Sequence, residues 1–176
     1  MHDNTTLTER LPVVELDAPY SSPGSMPRPW ADAREELDRA EVYWVSTVRP
    51  NGGPHVTPVA AVWMDHALWF STGPAERKAK NLARNARVVV TTGCNTFRSG
   101  LDVVVEGNAV RVTDAARLRQ LAAAFATKYQ DHFGFTVREG RFFHPDGGVA
   151  DVYEIAPKRA FAYGRGSTFT ATRYRF

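Results

Sequence analysis

The sequence has few of the features found in secreted or membrane proteins. Its 176 residues include a single cysteine, Cys94, so the chain can form no internal disulfide and offers no cysteine cluster for a metal. No run of about 18 apolar residues occurs, as a membrane span would require. Asp3, Glu9 and Arg10 interrupt the segment in which a signal peptide would need its apolar core. We therefore expect a cytoplasmic protein with no membrane partner.

The sequence also lacks the motifs of enzymes that catalyse a reaction with a bound metal, a dinucleotide or a nucleophilic side chain. The 5 histidines show no ligand spacing such as His-Glu-x-x-His, so we expect no metal site. Gly164-Arg165-Gly166 lacks the remaining glycine of a dinucleotide fingerprint, and neither Ser99 nor Ser167 lies in a nucleophile elbow. Without an evident acid, base or nucleophile, we expect no catalytic residue in the chain itself. Any catalysis would depend on a bound cofactor.

The chain does contain enough apolar sequence for one globular domain. Hydrophobic residues make up 43% of it and aromatic residues 11%, which suffices for a substantial core. Residues 1–28 are rich in proline and show little periodicity, which indicates an extended, mobile or wrapping N-terminal tail. We expect residues 29–176 to form the single domain.

Hydrophobic periodicity in that domain indicates many short strands and few helices. An amphipathic helix is expected from Pro29, another over about 74–83, and a third after Thr113-Asp114, which forms its cap. A bend or bulge is expected at Gly107, and residues 130–148 are expected to be loop-like. Strands are expected at residues 42–48, 55–63, 67–72, 87–92, 101–112, 149–155 and 160–163. This order favours a mostly antiparallel β-barrel decorated by helices.

The segment 69–87 is the most informative for function. Pro74 suits a first helical turn, yet Arg77 and Lys78 follow at once, where the unpaired N–H groups of a helix already disfavour cations. A bound anion would remove this conflict. We interpret the segment as a phosphate site formed by the helix start, the hydroxyls of Ser71 and Thr72, and the two cations.

Composition alone leaves an alternative open for this segment. In that alternative, Arg77, Lys78, Lys80 and Arg84 keep a surface helix solvated while its small apolar residues face inward. A nucleic-acid-binding barrel is not expected, because no aromatic residue is interleaved with the basic ones over 73–87. The formal net charge is only +3, but basic residues concentrate in this segment and again near the C-terminus. Two local patches favour an anionic small molecule.

The sequence resembles the pyridoxamine 5'-phosphate oxidase-like split-barrel family, which includes flavin- and deazaflavin-dependent oxidoreductases. Residues 70–79, Phe-Ser-Thr-Gly-Pro-Ala-Glu-Arg-Lys-Ala, match the family's aromatic-x-Thr…Ser-Arg-Lys-Ala segment, and residues 81–88 match its Asn-Leu-x-x-Asn/Asp-x-Arg-Val run. Residues 47–59 are similar to the family's first hairpin. The ending Thr-Arg-Tyr-Arg-Phe, residues 172–176, is similar to that of actinobacterial members.

The resemblance implies a split antiparallel β-barrel that forms a homodimer, with the cofactor at the interface. Thr72, Arg77 and Lys78 would hold the cofactor phosphate, and Asn81 would extend the polar site. The backbone that lines the ring would come from Val56, Thr57, Pro58, Val59 and Ala60. The second subunit's tail would contribute Arg165, Arg173 and Tyr174, unless these residues merely pair an edge strand.

One position departs from the family pattern. Glu76 stands where many flavin-binding members have serine, so the site loses a hydroxyl and gains a negative charge. We expect this residue to bear on phosphate affinity or on the identity of the cofactor.

The resemblance implies an oxidoreductase that transfers a hydride between a reduced flavin-type cofactor and a small organic substrate. Deazaflavin F-420 is slightly favoured over FMN, because the Arg-Lys-x-Lys-Asn-Leu form of residues 77–82 and the C-terminal motif are similar to actinobacterial sequences. The alternative is a non-catalytic protein that binds flavin, deazaflavin or haem in the same groove.

Overall fold

The structure is a computed structural model that describes residues 11–130 and 132–176. Three α-helices are present in these residues: α1 (Trp30–Arg39), α2 (Arg77–Leu82) and α3 (Ala115–Lys128). The strands are β1 (Val13–Leu16), β2 (Tyr43–Val48), β3 (Pro54–Val59), β4 (Ala61–Met64), β5 (Ala67–Thr72), β6 (Arg87–Thr92), β7 (Gly100–Val112), β8 (Thr136–Arg138), β9 (Arg141–Phe143), β10 (Val149–Arg165) and β11 (Thr170–Arg175). None of the described helices is both long and apolar enough to span a lipid bilayer.

The strands form one antiparallel sheet with a branch. Its main path runs in the order β1-β11-β10-β7-β6-β2-β3, and β5 joins β10 while also pairing β4. The long strand β10 is the centre of this arrangement, because it pairs with β7 along most of its length and with β5 and β11 at its two ends. The predicted mostly antiparallel architecture is confirmed, but the pairings of the described strands do not close the sheet.

Two apolar clusters fill the fold. The larger lies against α1 and includes Tyr43, Phe70 and Tyr174, and the second lies beneath α3 and includes Trp69 and Phe125. The helical stripes expected from the sequence are largely buried: Trp30, Ala33 and Leu37 on α1, and Leu118, Leu121 and Phe125 on α3. Asp114 caps α3 as expected, since its side chain accepts a hydrogen bond from the Arg117 N–H group at 2.7 Å.

The strand boundaries differ from the expectation in several places. The strand expected at 55–63 is two strands, because Ala60 is not in strand conformation and separates β3 from β4. The expected loop at 130–148 contains a hairpin of β8 and β9. The irregularity expected at Gly107 lies in the partner strand instead, where β10 shifts register between Pro157 and Arg159.

The segment before α1 packs on the chain's own sheet. β1, which the sequence analysis missed, pairs with β11 from Val13↔Arg175 to Leu16↔Thr172. The Asp17 N–H group then donates to the Ala171 carbonyl at 2.8 Å. β11 is therefore flanked on both sides, by β1 and β10. Residues 1–10 of the expected tail lie outside the described residues.

The helix expected from Pro74 begins three residues later than expected. Pro74 and Ala75 lie in a turn in which the Glu76 N–H group donates to the Gly73 carbonyl at 3.0 Å. Glu76 is extended and forms the N-cap of α2, which has 6 residues. Pro74 is thus not in the first helical turn, and Arg77 is the first helical residue.

Candidate functional site

Buried polar side chains gather where α2 packs against β2. Lys78 is only 7% exposed, Asn81 1% and Thr72 3%. The Asn81 side-chain amide donates to the hydroxyl of Thr47 on β2 at 2.9 Å. Since buried polar groups normally have partners, such a cluster outside the apolar core indicates a site for a polar ligand or ordered water.

Three oxygen atoms of this region are buried without a hydrogen-bond partner. They are Thr57 Oγ1 on β3, Thr72 Oγ1 at the end of β5, and Asn81 Oδ1 on α2. Leaving such an atom unpaired costs about 1–3 kcal/mol. These three residues were all predicted as cofactor contacts. The Thr72 hydroxyl lies beside the Glu76 carboxylate, so a bound polar group would chiefly satisfy Thr57 and Asn81.

Lys78 is held by its neighbour in the preceding turn. Its ammonium forms an ion pair with the Glu76 carboxylate, and the other carboxylate oxygen accepts a hydrogen bond from the Gly73 N–H group at 2.8 Å. Partial burial acts to raise the pKa of Glu76, but the hydrogen bonds from Lys78, Gly73 and Thr72 and the charge of Lys78 outweigh it and lower that pKa below its usual value. Glu76 is therefore ionised near neutral pH.

Arg77 adds a second positive charge at the surface. Its side chain is exposed, and within the described part of the chain it takes part in no ion pair. The pKa of His55 on β3 is lowered, first by desolvation and then by the charges of Arg49, Lys78 and Arg77. His55 therefore experiences the positive potential of these cations, which would also attract an anion.

β3 presents its second edge beside this cluster. Its described pairing is with β2 alone, from Tyr43↔Val59 to Val48↔Pro54. Along β3, the more exposed residues Val56 and Pro58 alternate with the half-buried residues Thr57 and Val59. Backbone groups on this edge of β3 are thus unpaired within the described residues, and the role of residues 56–60 toward a cofactor ring stays a prediction.

Ser71 does not lie on the same face as Thr72. Both belong to β5, in which successive side chains point to opposite faces. Phe70 lies in the larger core cluster on the Thr72 face, and Trp69 lies in the α3 cluster on the Ser71 face. The predicted pair of hydroxyls is therefore separated by the sheet.

The three residues expected to reach a second subunit all have partners within their own chain. Tyr174 is fully buried and donates to the Arg28 carbonyl at 2.9 Å. Arg165 forms an ion pair with Asp102 and donates to the Cys94 carbonyl at 3.0 Å. Arg173 lies 3.5 Å from the Asp17 carboxylate. Tyr174 is placed to support the core rather than to meet a partner.

A cavity of about 480 Å³, which was not predicted, lies on the face of the sheet opposite to the polar cluster, where Ser46, Val89 and Glu106 form a row of paired residues. Thr47, the hydrogen-bond partner of Asn81, is one of its lining residues. Its charged lining comes from both basic segments of the sequence, with Arg87 from the first and Lys158 and Arg159 from the second. Glu106 also lines it and pairs with Arg159 at 2.9 Å. The basic segments were visible in the sequence, but their meeting depends on the register of β6, β7 and β10.

Among the residues that the structure describes, no group of three or more His, Cys, Asp or Glu side chains could hold a metal ion. Apart from the Glu76 carboxylate, which pairs with Lys78, the polar atoms of the cluster are hydroxyl, amide and ammonium groups, and these suit an anion better than a metal.

The chain matches the family model of pyridoxamine 5'-phosphate oxidase over residues 30–163. A search of curated proteins found no match. Among solved structures, conserved hypothetical protein Rv2991 from Mycobacterium tuberculosis is 19% identical with a TM-score of 0.64, over 78% of this chain and 85% of that one.

Two further structures share the fold. An F420 reductase is 20% identical with a TM-score of 0.53, over 72% of this chain and 94% of that one. A heme binding protein from Mycobacterium smegmatis is 18% identical with a TM-score of 0.60, over 82% of this chain and 58% of that one. At these identities the likeness concerns the fold alone. The family resemblance seen in the sequence is confirmed, and the chain belongs to the pyridoxamine 5'-phosphate oxidase family.

Proposed function

We propose that this chain is an oxidoreductase that binds F-420 or FMN and transfers a hydride between that cofactor and a small organic substrate. The observation that carries the proposal is the pair of buried, unpaired oxygens of Thr57 and Asn81, together with the buried ammonium of Lys78 and the Thr72 hydroxyl beside the Glu76 carboxylate. These groups fit a phosphate-bearing polar ligand, because the threonine hydroxyls and the Lys78 ammonium can donate to phosphate oxygens, whereas Asn81 Oδ1 can accept from an N–H or O–H group of the ligand.

The chain's own residues would bind and orient the cofactor. Arg77, Lys78 and Thr72 would hold its phosphate, and the free edge of β3 at residues 56–60 would lie along its ring. Asn81, fixed by its hydrogen bond to Thr47, would present its amide oxygen to the ligand. A flavin or deazaflavin, when bound, supplies the hydride chemistry that no side chain of this site supplies.

The family fold and the exposed sheet face support a homodimer as part of this proposal. Trp44 and Val56 are 50% and 52% exposed on neighbouring strands, which is unusual for large apolar residues of a central sheet. A second copy of the chain would cover them and would enclose the cofactor between subunits.

Replacement of Lys78 tests the site. We expect Lys78→Met to weaken the binding of FMN or F-420 by about 30-fold or more, because it removes a buried cation that pairs with the phosphate. Fluorescence titration of the purified protein measures the affinity. Lys80→Met is the matched control, since Lys80 is exposed on the same helix. Equal affinities in the two variants would contradict the assignment.

A cofactor-binding protein without activity is the second candidate. The shared fold with the heme binding protein and the lack of evident catalytic side chains favour it. Anaerobic reduction of the cofactor-loaded protein, followed by a panel of hydride acceptors, separates the two functions. Reoxidation by an acceptor supports the oxidoreductase, and a cofactor that exchanges with none of them supports the binding protein.

A further inference from the structure

Glu76 places an anion inside the candidate phosphate site. One carboxylate oxygen pairs with Lys78 and the other accepts from the Gly73 N–H group. The hydroxyl of Thr72 lies beside the same carboxylate without a well-formed hydrogen bond. Two groups that would otherwise donate to a phosphate, the Lys78 ammonium and the Gly73 N–H, are thus already engaged by the chain.

The turn around Gly73 holds this carboxylate in place. The Glu76 N–H group donates to the Gly73 carbonyl at 3.0 Å while the Glu76 side chain accepts from the Gly73 N–H at 2.8 Å. A side chain at position 73 would lie 3.2 Å from the carboxylate, so the contact is close. Since both hydrogen bonds are local to the turn, a ligand is not needed to position Glu76.

Glu76 weakens the attraction of this site for a phosphate in proportion to the charge of that phosphate. Arg77 and Lys78 contribute two positive charges, and Glu76 removes one of them. A phosphomonoester carries about −1.5 to −2 at neutral pH, because its second pKa is about 6. A phosphodiester carries a single negative charge. Repulsion by Glu76 scales with the ligand's charge, so it opposes the monoester about twice as strongly in free energy.

We propose that Glu76 shifts the selectivity of this site away from the phosphomonoester of FMN and toward a singly charged phosphodiester, such as that of F-420. This inference rests on the proposed function, because it assumes that the phosphate of the cofactor binds beside Lys78. It assigns to one residue of the chain a bias between the two cofactors named in the proposed function.

Glu76→Gln tests the proposal by removing the charge while keeping the shape of the side chain. Affinities are measured by fluorescence titration at about pH 8, where the monoester is fully ionised. FMN is compared with riboflavin, which lacks only the phosphate, and F-420 with its deazaflavin core, which lacks the phosphodiester together with the acidic tail attached to it. We expect the variant to bind F-420 about 3-fold more tightly and FMN about 10-fold more tightly, since the second gain is the square of the first.

The phosphate-free compounds and the variant Glu36→Gln serve as controls. Glu36 forms a surface ion pair with Arg39 on α1, so its replacement should leave all four affinities unchanged. Equal gains for FMN and F-420, or weaker binding in Glu76→Gln, would overturn the role of Glu76 while leaving the proposed function intact. The proposed function itself fails if neither phosphate-bearing cofactor binds the wild-type protein or the variant.

Discussion

Lys78 and Lys128 are both shielded from solvent, but their ammonium groups have different partners. Lys78 has a carboxylate partner and lies at the candidate ligand site. Lys128, at the end of α3, instead donates to the hydroxyl of Tyr43 at 2.8 Å and lies over the rings of Tyr43 and Tyr129. No carboxylate forms an ion pair with Lys128 among the described residues, so its close contacts are with aromatic and hydroxyl groups, and the carboxylates of Asp38 and Glu41 act on its charge from a distance.

This difference makes the stability contributed by Lys128 depend on pH. Burial lowers the pKa of Lys128 to about 8, although the charges of Asp38 and Glu41 oppose the shift. In the unfolded chain its pKa returns to about 10.5, so between these values the unfolded state binds a proton that the folded state has lost. The contribution of Lys128 to the free energy of unfolding therefore rises with pH across this window.

Lys128→Met removes this titration. We expect the stability of the wild-type protein relative to the variant to increase between about pH 7 and about pH 10. Urea denaturation at several pH values measures the difference. Lys80→Met, at an exposed lysine, should show no such trend. A constant difference between wild type and Lys128→Met would show that Lys128 does not titrate differently in the two states.

At the scale of secondary-structure elements, the sequence predicted the helices and strands that have an extended hydrophobic periodicity or a clear capping residue. The stripes of α1 and α3, the cap at Asp114 and most strand centres are found in the structure. The start of α2 was not predictable, because the Gly73–Glu76 turn depends on a side-chain hydrogen bond that competes with Pro74 as a helix start. The hairpin of β8 and β9 has strands of 3 residues, which are too short for periodicity to reveal.

In the candidate site, too, residues close together in the sequence could be predicted, whereas contacts between distant segments could not. Thr72, Lys78 and Asn81 could be found from one segment, and all three are buried where an anion could bind. Their partner Thr47 is 34 residues away from Asn81, so the contact depends on how α2 packs on β2. The core position of Tyr174 likewise depends on the segment at Arg28, which periodicity did not link to the C-terminus.

The pairing of β7 with β10 depends on Gly107. A Cβ atom at this position would lie 2.7 Å from the Ala156 carbonyl oxygen and 2.9 Å from Ile155 Cγ2, in the strand opposite. We expect Gly107→Ala to lower the free energy of unfolding by about 1–3 kcal/mol, because backbone atoms cannot yield as a side chain can. Urea denaturation measures the change. Gly166→Ala is the control, since nothing lies within 4 Å of a Cβ there, and equal effects would contradict the steric argument.

At the scale of the whole molecule, the sheet gathers features that are distant in sequence. The register links Pro58, Trp44, Thr91, Val104 and Phe161 in one row across β3, β2, β6, β7 and β10. Directly paired residues point to the same face, so these side chains form a continuous, largely apolar surface. Tyr43 and Val45, which flank Trp44, point into the core. The row therefore faces away from the core.

Replacement of Trp44 tests whether a second copy of the chain covers this surface. Trp44→Glu would bury a charge in the proposed subunit interface, which is strongly unfavourable without a partner. We expect the wild-type protein to sediment as a dimer at micromolar concentration, and the variant to sediment as a monomer with an unchanged circular dichroism spectrum. Thr127→Glu, at an exposed position on α3, should leave the dimer intact.

Because the proposed cofactor lies between subunits, Trp44→Glu should also weaken FMN or F-420 binding. A dimeric Trp44→Glu variant would place the interface elsewhere, and full cofactor affinity in a monomer would show that one subunit forms the site alone.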